Sequence, residues 1–72
     1  MDYQTLLHHL CLDRGWKEPQ YDTTLSQSWY LSSVIAFDHF FRGERSKVKE
    51  EAKNTAARRA YDYLSTLDTG GS

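Results

Sequence analysis

The chain is poor in the residues that staple or punctuate a fold. One cysteine, Cys11, among 72 residues excludes an internal disulfide, so nothing demands an oxidising compartment. No apolar run approaches the roughly 18 residues of a membrane span, and no signal-peptide pattern opens the chain. An intracellular protein without membrane attachment is the expectation. The single proline, Pro19, allows one enforced break in helical structure. No Asn-Gly or Asp-Gly pair marks a hairpin. Net charge is also scarce: nine Lys and Arg against ten Asp and Glu leave −1 at pH 7, which argues against nucleic-acid binding driven by bulk charge. There is no CxxC or HxxxH spacing, no glycine-rich loop and no nucleophile motif. Neither catalysis nor a cofactor is implied.

What is present describes a globular domain. Hydrophobic residues make up 39%, charged residues 26% and aromatics 14%, richer in aromatics than a disordered chain. The length allows one domain, taken as residues 1–67, and the closing "DTGGS" (68–72) reads as a flexible tail. Charge is segregated. Residues 1–41 hold two basic against five acidic side chains, whereas 42–53 hold five (Arg42, Arg45, Lys47, Lys49, Lys53) against three. A local positive field can steer a partner even when the whole chain is near neutral.

Hydrophobic periodicity orders the elements. Tyr3, Leu6, Leu7, Leu10 and Cys11 make one apolar stripe at helical spacing, with Asp2 as N-cap and Gly15 as terminator. Thr5, His8, His9 and Leu12 fall on the opposite side. Residues 20–42 are rich in Tyr, Thr, Val, Ile, Phe and Trp, which favour strands. Three short antiparallel strands are expected near 20–25, 29–36 and 39–42, with turns at Ser26–Ser28 and Phe37–Asp38 and with Trp29 in the sheet core. Gly43 and Glu44 close the third. From Ser46, read as an N-cap, to about Leu67, an apolar arc runs through Val48, Ala52, Ala56, Ala60, Tyr63, Leu64 and Leu67, and Arg58 and Asp62 form an outward i, i+4 pair. The fold class is therefore α+β: α-β-β-β-α, a three-stranded antiparallel sheet with two helices packed on one face.

The basic residues pose a physical question. Cations in the first turn of a helix oppose its macrodipole, at a cost of about 0.3–1 kcal/mol each. Lys49 and Lys53, four apart on one face, also repel each other by about 0.2–0.5 kcal/mol. A helix start with exposed amides and cations suits an anion such as phosphate. The alternative is an ordinary solvated helix start, with Lys47 paired to Glu51.

"SKVK" followed by "EEAKNTAARRAYDYL" resembles the second helix of double-stranded-RNA-binding domains, with its basic opening motif, alanine pair and terminal leucine. "LLHHLCLDRGWKEPQY" resembles the first helix of that family and the turn into its first strand, with Leu6, Leu7, Gly15, Trp16, Pro19 and Tyr21 in register. The resemblance spans about Tyr3–Leu67. It implies recognition of A-form duplexes by shape, with the first helix and the first inter-strand loop at two successive minor grooves and the second helix on the phosphates between. On this reading Lys49 and Lys53 match the outer lysines of the basic motif, while Lys47 and Arg45 assist. Thr5 and His9 match the outward positions that meet 2′-hydroxyls and base edges.

The sequence departs from that pattern at Glu50, which stands where the middle lysine belongs, and at His9, which replaces a glutamate. The Gly-Pro-x-His segment of the first inter-strand loop is absent. Two functions follow from the same fold. One is non-enzymatic, largely sequence-independent binding of double-stranded RNA. The other is a protein–protein interaction or homodimerisation module whose RNA contacts are weakened; an accessory domain of an RNA-processing enzyme is a third setting. A zinc site among His8, His9, Cys11 and His39 is disfavoured, since His9 and Cys11 lie on different faces of one helix.

Overall fold

The computed structural model describes residues 2–67; the expected tail at 68–72 lies outside the described residues. The elements follow in the order α1 (Tyr3–Arg14), β1 (Gln20–Ser26), β2 (Trp29–Ala36), β3 (His39–Arg42) and α2 (Lys49–Leu64). The three strands form one antiparallel sheet in the order β1-β2-β3. Helix α2 lies across the sheet and α1 packs mainly on α2, on the same side. No described helix is long and apolar enough to cross a membrane.

Helix α1 begins and ends where its sequence dictates. The Asp2 carboxylate accepts from the Gln4 N–H at 3.0 Å, and the Thr5 hydroxyl donates to it at 2.8 Å. Gly15, at φ +74°, takes the left-handed position that terminates the helix. Leu7 and Cys11 are fully buried, Tyr3, Leu6 and Leu10 half-buried, and Leu12 exposed, so the apolar stripe faces inward as its spacing requires.

Strand register sorts the sheet into two faces. Tyr21, Val34 and Phe41 form one cross-strand row directed at the helices, and Val34 is fully buried. The alternate row positions Leu31, Ile35 and Phe40 remain exposed on the helix-free face. Trp29 shares their parity on β2 and is only half-buried, which corrects its assignment to the sheet core. Both hairpins turn through two residues with positive φ: Gln27 (49°) and Ser28 (70°), then Phe37 (50°) and Asp38 (60°). This is the requirement of type I′ turns, met without glycine. Phe37 is held by stacking on Trp16, with centroids 4.2 Å apart.

Helix α2 differs from expectation at both ends. Ser46 is not its N-cap. It forms an isolated bridge with Tyr30, extending the sheet by one pairing, and the helix starts three residues later from Val48, which makes no side-chain cap. Val48 is consequently exposed, not part of the packed arc, and Tyr63 is likewise 47% exposed. The helix ends at Leu64, short of Leu67. Between these ends Ala52, Ala56, Ala57 and Ala60 are fully buried. Their small side chains permit a close approach: a Cβ on Gly43 would sit 2.5 Å from the Ala56 nitrogen, so only glycine fits where β3 leaves the sheet.

Candidate nucleic-acid interface

A part-buried polar contact ties the start of α1 to α2. The Tyr3 N–H, in the first turn of α1, donates to Asn54 Oδ1 at 2.6 Å. A lone asparagine inside a helix is a poor helix former, and this tertiary bond explains its presence. Nearby, Gln4 Nε2 donates to Glu50 Oε1 at 3.3 Å. The exposed face of α1 is thereby set beside the first turns of α2.

The six residues singled out from the sequence separate into two groups. Lys49 and Lys53 share one face of α2, and Thr5 and His9 are exposed on α1. Thr5 spends its hydroxyl proton on Asp2, and this bond holds the Asp2 carboxyl below the usual carboxylate range. His9 borders a shallow depression with Leu6, Leu10, Asp13 and Tyr61. Arg45 and Lys47 are elsewhere. They flank buried Ser46 and lie over the Trp29 ring, with charged groups 5.0 and 5.1 Å from its centroid. That ring has the parity of the helix-free sheet face, so these two cations are turned away from the Lys49–Lys53 row.

Lys53 is constrained from two sides. Its side chain is 25% exposed, its ammonium stands 5.3 Å from the Tyr21 ring centroid, and Glu50 Oε2 lies 4.0 Å away. Tyr21 therefore acts as a platform under the lysine, at a distance typical of cation–π contact. The Tyr21 hydroxyl is buried with no hydrogen-bond partner, and its pKa is pushed up to about 12, chiefly by burial and secondarily by the Asp2 and Cys11 charges. Lys49 is exposed.

The lysine puzzle resolves in part. Lys47 lies outside the helix, and Glu50 and Glu51 occupy the first turn of α2, where acidic groups favour the macrodipole. Glu50 and Glu51 also join Asp2, Gln4 and Asn54 around a depression between the two helix starts. A negative spot thus sits beside the lysine row. Among the described residues no group of three or more His, Cys, Asp or Glu could hold a metal ion.

The sequence reading missed Tyr21 and Trp29 as cation platforms and Asn54 as the inter-helix clasp. An asparagine in an alanine-rich helix was a usable signal; the pairing of an aromatic with a particular lysine depends on register and had none.

No protein-family model matches the sequence, and no curated protein matches it. Solved structures do. The second double-stranded-RNA-binding domain of DRB4 superposes with a TM-score of 0.75 at 25% identity, covering 93% of this chain and 100% of that one. The corresponding domain of tRNA-dihydrouridine(20) synthase gives 0.83 at 19% identity, over 97% of this chain and 77% of that one. The second such domain of HYL1 gives 0.67 at 16%, over 89% and 99%. Element order, sheet topology and helix placement thus agree with the sequence resemblance: the chain has the double-stranded-RNA-binding-domain fold.

Proposed function

We propose that this chain binds double-stranded RNA without catalysis and largely without regard to sequence, through duplex shape and phosphate contacts. The observation that carries the reading is the Lys49–Lys53 row on α2, one turn apart, set beside the exposed Thr5–His9 face of α1 by the Tyr3–Asn54 bond. An A-form duplex offers a wide minor groove lined with 2′-hydroxyls next to phosphates across the narrow major groove. His9 can donate to or accept from a 2′-hydroxyl, and the Thr5 oxygen retains acceptor capacity. Lys49 and Lys53 then meet phosphates, with Arg45 and Lys47 as a separate pair at the Trp29 end.

Glu50 sets the affinity. Lys53 must exchange the Glu50 carboxylate for a phosphate, and the two-residue turn at Gln27–Ser28 is too short to reach far into a second minor groove. The complex is expected to be weak, with a footprint below the roughly 16 base pairs typical of the fold. Titration against duplex RNA, duplex DNA of the same sequence and single-stranded RNA is the test. Preference for duplex RNA supports the reading. Equal binding to RNA and DNA duplexes, or binding to neither, contradicts it.

A further inference from the structure

The helix-free face of the sheet is exposed and partly apolar. Leu31 (38% exposed), Ile35 (49%) and Phe40 (61%) form its apolar centre. The strand residues of this face carry charge only at opposite edges of one cross-strand row: Asp22 on β1 pairs in register with Ser33 on β2, which pairs with Arg42 on β3. These residues line one shallow depression together with Thr24, Leu31 and Phe40. Two strand spacings separate Asp22 from Arg42, roughly 10 Å of backbone. Neither residue belongs to any of the three ion pairs among the described residues.

We infer that two copies of this chain associate face to face through this surface, about a two-fold axis parallel to β2. That rotation lays β1 of one copy over β3 of the other and preserves position along the strands. Asp22 of each copy then meets Arg42 of its partner, twice per dimer, while Leu31 and Ile35 stack across the axis. The in-plane axis perpendicular to the strands lays β1 on β1 and sets like charges together, so charge selects the first. Arg45 and Lys47, at the Trp29 end, fall over the neutral hydroxyls of Thr24 and Ser26. The Lys49–Lys53 row lies on the helix side of the sheet, so association leaves it accessible and is independent of RNA binding.

The strands, of seven, eight and four residues, offer roughly 300 Å² per copy, below the ~800 Å² per partner of a stable interface. The dimer is therefore weak, with a dissociation constant on the order of 0.1 mM. Sedimentation equilibrium from about 10 μM to 1 mM tests it. Asp22→Arg or Arg42→Asp alone replaces two attractions with two repulsions and should weaken self-association on the order of tenfold. An equimolar mixture of these two variants restores both attractions and should associate at least as tightly as the unaltered chain. Ile35→Lys, at an exposed position, should abolish association with the fold intact by circular dichroism. A chain that stays monomeric to 1 mM, charge variants that associate unchanged, or a mixture no tighter than its separate components would each overturn the inference.

Discussion

Tyr21 concentrates the energetic tension of the lysine site. Its ring supports Lys53, yet its hydroxyl is buried without a partner. An unsatisfied buried hydroxyl costs about 1–3 kcal/mol. Tyr21→Phe keeps the ring and removes the orphan, so it should raise stability by about 1 kcal/mol in a denaturant titration. The same residue sets a pH limit. Its folded-state pKa is raised from 10.0 to about 12, so the neutral phenol is favoured in the folded chain. The associated stability is fully present below pH 10 and is lost as the pH climbs towards 12. The Phe variant should show a flatter stability profile across that interval; an unchanged alkaline slope would place the cause at another group.

At the scale of elements, the hairpin turns are the strained parts. Gln27, Ser28, Phe37 and Asp38 hold positive φ with side chains that resist it. Phe37 is compensated by its stack on Trp16, whereas Ser28 is exposed and makes no such contact among the described residues. Ser28→Gly should therefore stabilise the chain by about 0.5–1 kcal/mol, after allowing for the larger unfolded-state entropy of glycine. A loss of melting temperature would mean that the serine makes a contact worth more than the strain.

These turns also show what a sequence conveys. Strand composition and the intervals between apolar runs placed all three strands to within a residue, although neither turn carries an Asn-Gly signal. Periodicity in α1 correctly put Leu7 and Cys11 inside and Leu12 outside. Ser46 misled because a serine two residues ahead of an apolar arc has the pattern of an N-cap. Here its backbone is claimed by Tyr30 across the sheet, a long-range pairing that local sequence does not encode. For the same reason the sequence grouped Arg45 and Lys47 with Lys49 and Lys53, while the bridge at Ser46 turns the first pair towards Trp29.

For the molecule as a whole, near-zero net charge leaves little long-range attraction, so the proposed RNA binding would rest on local geometry. The direct test is the salt dependence of binding to a short RNA duplex. Each neutralised phosphate contributes about −0.9 to the slope of log affinity against log salt, a figure established for B-form DNA. Lys49 and Lys53 acting together predict a slope near −2. Lys53→Ala should weaken binding to all duplex sequences alike and flatten the slope by about one unit. Loss of its contact with Tyr21 should cost folding about 0.5–1 kcal/mol. Glu50→Lys should tighten binding and steepen the slope, because it removes the carboxylate that competes for Lys53 and adds a cation. Slopes that stay the same in both variants would contradict phosphate recognition at this helix start.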